Sequence, residues 1–331
     1  MLVSIVIPVH NAQSHLPHCL NAIQQTHYPN WECILVDDGS TDNSVDIIQQ
    51  HDKLQLIATD SQSGPALARN LGAQKAAGEL LLFIDADVMV QPGTVGHAVA
   101  TMQANPQLAA CFGSYDDNPS EQNLLSQYRN LQHHYVHQTS ENDASTFWSG
   151  CGMIRAHIFE ELGGFNTLTP GRPSIEDIEL GQRLKQAGYS IQLEKLLLVK
   201  HLKHWTLGTV LQTDIRDRAW PWTRLIVQEG NIPNDLNLQI SQRLSTLALF
   251  AGVLLLLLGV LQPYIWLGLF PIMGILFWLN RPFYTFLQEK RGVGFLLRAV
   301  WIHWLYFLYS GLTFGVGVIY WGAFRREFLS K

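Results

Sequence analysis

The sequence predicts an α/β domain built on a mainly parallel sheet, followed by a helical membrane region. Three observations predict it. Short apolar runs alternate with segments of helical period through the first part of the chain, acidic clusters close two of those runs, and the C-terminal quarter holds long uncharged stretches. With 331 residues, 47% hydrophobic and 15% charged, the chain is long enough for one good-sized domain and something more.

The elements follow in order. Residues 3–7, VSIVI, are a β-branched run that reads as the first core strand, and Leu16, Leu20 and Ile23 then recur at the i, i+4, i+7 spacing of a helix with one buried face. The pattern repeats as ECILV (32–36) before a helix near 44–51, LQLIA (54–58) before a helix over 65–77, and then LLFID. Strands alternating with helices at this pitch argue for right-handed crossovers and a sheet covered on both faces. Ligands of such sheets sit outside the carboxyl ends of the strands. VDDGSTD (36–42) and IDADV (84–88) both begin at carboxyl ends, so their acids should face one crevice. Taken alone, Asp85 and Asp87 fit either a turn or a divalent cation with the phosphates it carries.

Beyond Asp87 the alternation weakens. Residues 114–150 are polar and aromatic, with His133, His134 and His137 in one predicted helix. Their spacing lacks companion cysteines or acids, so groove-lining or surface histidines are preferred to a zinc site. IEDIELGQRLKQAGYSI carries a helix face at Leu180, Leu184 and Ala187 and a C-terminal stop at Gly188. Glu176 and Asp177 stand at its N-terminal end, where the helix dipole favours ionised carboxylates.

Residues 244–261 contain no charge and have the length of a membrane span. A second uncharged run covers 264–279, and a third membrane segment covers about 295–322, interrupted by Arg298 and His303. Between the domain and these runs, at 206–242, Arg216, Arg218 and Arg224 interleave with Trp220 and Trp222 as in an interfacial amphipathic stretch. Arg281, Lys290 and Arg291 suit an internal loop under the positive-inside rule, whereas Arg325, Arg326 and Lys331 conflict with a third full crossing unless that segment is partly interfacial or re-entrant. The start of the chain has neither a basic n-region nor a cleavage site and is expected to be core strand rather than a signal peptide. Cys19, Cys33, Cys111 and Cys151 show no metal spacing and suggest a reducing compartment, and a net charge of −5 gives no support for nucleic-acid binding.

SIVIPVHN, VDDGSTDNS, GPALARNLGA, FIDADV, GMIRAHIFEELGGFN, SIEDIELGQRLKQAGY and VKHLKHW stand in an order and at a spacing that resemble the inverting family-two nucleotide-sugar glycosyltransferases. The resemblance covers roughly residues 1–205 and implies a Rossmann-like GT-A domain with a mixed, mostly parallel sheet. It further implies a metal-dependent transferase of hexosyl type. By position, it places Pro8 at the nucleotide, Asp38 on the base edge, Arg69 close to the uracil or the phosphates, and Asp85 close to the ribose or the metal's waters. Asp87 and His201 would bind Mg2+ or Mn2+ on the diphosphate, with His204 the second choice for the histidine. Asp177 would be the general base and Glu176 the neighbour that positions it or the acceptor, while Trp148 and Gly150 would shape the acceptor and sugar pocket. Taken by themselves, Asp177 also fits a helix cap and Trp148 a core residue.

The function expected is transfer of one sugar from a nucleotide-sugar, UDP-linked by resemblance, to a hydroxyl of a lipid or glycolipid acceptor. The catalytic domain would face the cytoplasm on a multi-pass inner-membrane protein, because nucleotide sugars are made there. QTDIRDRAWPW (212–222) matches only loosely the Gln-x-x-Arg-Trp element of processive polysaccharide synthases, and its spacing is wrong. A processive synthase or its subunit, and a non-catalytic nucleotide-sugar-binding scaffold, stay open as alternatives.

Overall fold

The computed structural model describes residues 1–51, 54–167, 171–230 and 239–328, and the chain divides into two compact units, Met1–Trp205 and Thr206–Lys331.

The first unit holds an eight-stranded mixed sheet in the order β3-β2-β1-β4-β7-β6-β8-β5. It opens with β1 (Val3–Val9), α1 (Leu16–Gln24), β2 (Trp31–Asp37), α2 (Ser44–Gln49), β3 (Gln55–Ala58), α3 (Pro65–Lys75) and β4 (Leu80–Ile84), as the alternation predicts. These four strands are parallel neighbours. The near-continuous apolar runs of β1 and β4 follow from burial on both faces. Val3, Ile5 and Ile7 join Leu80, Leu82 and Ile84 in one cluster, while Val6, Leu81 and Phe83 point into the other. Gly72 lets α3 lie directly on β1, since a Cβ there would come within 2.4 Å of the Val6 side chain.

After β4 come β5 (Val88–Val90), α4 (Thr94–Ala104), β6 (Leu108–Tyr115), α5 (Leu124–Thr139), β7 (Cys151–Arg155), α6 (Ala156–Glu161), α7 (Glu176–Gln186) and β8 (Ser190–His201). Here the sheet turns mixed. β7 is antiparallel to β4 and β6, β5 is antiparallel to β8, and β6 and β8 are parallel. Gly188, with φ of 83°, follows the end of α7 as its predicted stop. His133, His134 and His137 share α5.

The second unit is helical: α8 (Leu207–Leu211), a π-helical segment (Gln212–Ala219), α9 (Trp220–Glu229), α10 (Ile240–Gly259), a 3-10 segment (Pro263–Gly268), α11 (Leu269–Leu279), α12 (Arg281–Arg291) and α13 (Val293–Phe328). Among the described residues, α10 and the 293–323 part of α13 are long and apolar enough to cross a membrane, with mean hydropathies of 1.7 and 1.4. Pro263–Leu279 and Arg281–Arg291 pass the same test only as a pair bent by 69°. The 31 residues of 293–323 form part of one uninterrupted helix, about 46 Å at 1.5 Å per residue, against a hydrocarbon core of about 30 Å.

The 206–242 stretch is tied into the helical unit. Trp220 packs against Tyr320 and Trp321 of α13, and the Arg224 guanidinium lies 5.1 Å from the Trp321 ring. The indole thus finds an aromatic partner within its own unit. Tyr309 donates to buried Asp214 at 2.5 Å. Residues 231–238 of that stretch, and Lys331, lie outside the described residues.

Candidate active site

The carboxyl ends of β1, β2 and β4 bring the first acids together. Pro8 lies half-buried near the end of β1, opposite Val36 in the β1–β2 register. Asp38 follows β2 and is buried; its Oδ1 accepts from the Ser63 N–H and its Oδ2 from the Gly64 N–H, each at 2.7 Å. These bonds hold the turn into α3; Oδ1 has the Thr59 hydroxyl at 3.4 Å as a second donor, and Oδ2 keeps a second lone pair for a further one.

Arg69 is held between two acids. Its guanidinium is buried, with Nη2 donating to Asp85 Oδ1 at 2.7 Å and Nη1 donating to Glu176 Oε1 at 2.8 Å. The Phe165 ring lies 5.6 Å from its carbon. Burial works against this charge, but the Asp85, Glu176 and Asp177 carboxylates more than offset it and raise the Arg69 pKa above its ordinary value. A buried cation needs such partners, which is why it spans two acids instead of standing open in the cleft.

Asp87 is placed by strand pairing. Val88 faces His201 across β5 and β8, and the Leu202 N–H donates to the Asp87 carbonyl at 2.9 Å. The Asp87 carboxylate, a quarter exposed, lies 3.7 Å from Nε2 of buried His201. Burial pushes the Asp87 pKa up, but the adjacent His201 imidazole and the charges of Lys203 and His15 prevail, holding it well below the usual carboxylate range. His201 in turn stacks on Tyr115, with centroids 4.2 Å apart and planes at 12°.

These donors fit a divalent cation shared with a diphosphate. A carboxylate oxygen and an imidazole nitrogen face each other beyond good hydrogen-bond distance, and the pair suits Mg2+ or Mn2+. Among the described residues no group of three or more His, Cys, Asp or Glu converges to hold a metal alone. One Asp85 oxygen is already taken by Arg69. The remaining ligands would therefore come from phosphate oxygens and water, as is usual for Mg2+ at phosphate sites.

Glu176 and Asp177 share the first turn of α7 but differ in surroundings. Glu176 is buried, one oxygen on Arg69 and the other accepting from the Ser174 N–H at 2.9 Å. Asp177 is only half-buried; its Oδ2 accepts from the Ser149 N–H at 3.2 Å and the Ser149 hydroxyl at 3.3 Å, and its Oδ1 accepts from the Ile178 N–H at 2.8 Å.

Trp148 meets Tyr115 edge to face at 4.9 Å and His133 at 4.8 Å. Gly150 serves this indole, because a Cβ there would come within 2.5 Å of Trp148 Cζ2. His134 and His137 donate through Nδ1 to the Tyr115 and Gly113 carbonyls at 2.7 and 3.0 Å, fastening α5 to β6. His204 engages Glu121 at 2.6 Å. The four cysteines are buried and free, and burial pushes the Cys33 and Cys151 thiols up to about 12. Tyr115 and Ser149 carry no sequence signal of their own; only the register of β6 and the approach of the 146–150 segment to α7 reveal them.

The family model described as Glycosyl transferase family 2 matches residues 4–163. An uncharacterized glycosyltransferase of Haemophilus influenzae is 41% identical over 118 residues, covering 34% of this chain and 47% of the relative. Glycosyltransferase AglE of Haloferax volcanii is 27% identical over 198 residues, covering 57% and 63%. The chain thus spans less than two thirds of the length of either relative. Among solved structures, S. aureus TarS in complex with UDP-GlcNAc is similar with a TM-score of 0.50 and 19% identity, over 69% of this chain and 66% of that one. The mannosyltransferase PcManGT from Pyrobaculum calidifontis in complex with GDP-Man and Mn2+ is similar with a TM-score of 0.51 and 20% identity, over 68% and 62%. At these identities the likeness shows the GT-A fold.

Proposed function

Because residues 4–163 form a glycosyl transferase family 2 domain, we propose that the chain transfers one sugar, with inversion, from a UDP-sugar to a hydroxyl of a lipid or lipid-linked acceptor at the cytoplasmic face of the inner membrane. In this reading residues 1–205 are catalytic, 206–242 are interfacial and 243–331 are membrane-embedded. The apolar lengths of α10 and α13 support the last assignment.

One observation carries the reading: acids from motifs far apart in sequence converge. Arg69 joins Asp85 to Glu176, 107 positions beyond it, while Asp87 meets His201. A helix cap or a turn alone gives no reason for this convergence.

The donor's base is held near Pro8 and Asp38, whose Oδ2 keeps a lone pair that can accept from a base N–H. Asp85, fixed by Arg69, offers its second oxygen to the ribose. Asp87 and His201 hold the Mg2+ or Mn2+, which when bound neutralises charge developing on the diphosphate. Asp177 is the general base. Its partial exposure favours it over Glu176, which is buried and ion-paired with Arg69. Asp177 removes the acceptor hydroxyl proton as the oxygen attacks the anomeric carbon, and the bond to the diphosphate breaks on the opposite face. Glu176 and Arg69 position α7 and with it the base. Trp148, Tyr115 and His133 offer aromatic faces for a sugar or acceptor ring.

The test is a panel of UDP- and GDP-sugars offered to the full chain in detergent with membrane lipid extract, with and without chelator, and read by mass spectrometry. One sugar added to a lipid, lost on chelation and restored by Mn2+, is the expected product. Ladders of several sugars would favour a processive synthase, and donor binding with no transfer would favour a scaffold.

A further inference from the structure

We propose that Lys203 is the cation that anchors the nucleoside diphosphate beside Asp87 and His201, a role that rests on the donor reading above. After β8 the chain is extended, so His201, Lys203 and Trp205 occupy alternate positions of one short segment. The intervening residues are engaged otherwise: Leu202 bonds the Asp87 backbone and His204 pairs with Glu121. The Lys203 ammonium sits 4.3 Å from the centre of the Trp205 ring. Trp205 is itself fixed, being buried and donating its backbone N–H to Ser126 Oγ at 2.8 Å, and its ring lies 6.4 Å from that of His201.

An indole face orients an ammonium without neutralising it. Lys185 and Lys200 each have a carboxylate within 4 Å, at 2.9 Å from Asp143 and 3.4 Å from Asp116. Among the described residues Lys203 makes no such pair. Leu202, the residue before it, donates its N–H to the Asp87 carbonyl at 2.9 Å, so the segment runs alongside that acid. The result is an ordered cation with no ion pair of its own beside the acid and imidazole assigned to the diphosphate, and the chemical class it selects is a terminal phosphate.

In the transfer step the acceptor oxygen bonds the anomeric carbon and its proton passes to Asp177. The bond from the anomeric carbon to the β-phosphate oxygen breaks, and its electron pair stays on that oxygen. Lys203 gives up no proton; it balances the new charge on the β-phosphate. Its effect should therefore be large for a diphosphate and small for a monophosphate.

The experiment is calorimetric titration of the full chain in detergent with UDP, UMP and GDP, with and without Mn2+, for the wild type, Lys203→Met and Lys203→Arg. Met keeps the stem over Trp205 and removes the charge; Lys185→Met, at a lysine paired with Asp143, serves as the control, and melting temperature checks the fold. We expect Lys203→Met to bind UDP at least tenfold more weakly and UMP within about threefold of wild type, since a charge-assisted hydrogen bond contributes about 1.5–3 kcal/mol. Lys203→Arg should recover most of the loss. Lys203→Met binding UDP as the wild type does, or losing UDP and UMP equally, would overturn the assignment while leaving the transferase reading intact. A wild-type chain that binds neither UDP nor GDP would remove the donor reading and this role together.

Discussion

Replacing Arg69 should expose the strongest internal dependence of the site. In Arg69→Met the cation bridging Asp85 and Glu176 is lost while both acids stay. The two ends are unequal: Glu176 is 6% exposed at its side chain and Asp85 32%. Removing one partner of a buried pair costs about 3–5 kcal/mol, because the other charge remains buried without compensation. The Glu176 end should carry about 3 kcal/mol of this, and the solvent-screened Asp85 end about 1 kcal/mol or less. The assay is a double-mutant cycle on the full chain in detergent, with chemical denaturation of wild type, Arg69→Met, Glu176→Gln and the double variant. Neutralising Glu176 should restore much of what Arg69→Met loses, giving a coupling of about 2 kcal/mol, within the range seen for residues in one ion-pair network. Strictly additive losses would refute the reasoning. Arg69→Lys should rescue only partly, since a single ammonium cannot reproduce the fork that reaches both acids.

Other outcomes follow from the same geometry. Asp87→Asn should weaken Mn2+-dependent donor binding and turnover together, as removal of a charged metal ligand requires; unchanged Mn2+ dependence in a binding titration would speak against Asp87 as that ligand. Gly150→Ala should cost about 1–3 kcal/mol and disturb Trp148, because the added methyl meets the indole, and near-ultraviolet circular dichroism with a melting curve reads both effects. Reporter fusions after residues 262 and 290 should be active on the outer and cytoplasmic faces respectively, and a fusion at 290 active only outside would overturn the topology.

The parallel half of the sheet was legible because β1, β2 and β4 are largely buried on both faces and the strands are separated by helices of clear period. Beyond Asp87 that contrast fades. β5 has three residues, and β6, Leu108–Tyr115, mixes alanine, glycine and serine into a strand that shows neither alternation nor a strong apolar run. The order of the motifs brought the acids to notice, but spacing says nothing of which acid faces which partner. Position gave Arg69 to the donor, and the pairing with Asp85 and Glu176 that holds it is invisible to spacing. Position gave Gly150 to the pocket, and only the fold shows that it makes room for the indole of Trp148. In the second unit the uncharged runs marked the apolar helices, whereas the 69° bend at Asn280 and the continuity of α13 depend on packing that composition does not encode.

The central claim is that Asp177 takes the acceptor proton while the donor is held by other residues. It is tested most directly by Asp177→Asn, with donor affinity measured by calorimetry in UDP-sugar and Mn2+ and transfer measured on the same preparation. Asn matches Asp in size and as a helix cap but cannot take a proton. The account predicts donor affinity within about twofold of wild type and transfer reduced by about 10²- to 10⁴-fold, the contribution of a positioned general base. Near-normal transfer by Asp177→Asn would contradict it, leaving Asp177 as a first-turn acid of α7 that fastens Ser149 and the site without its base.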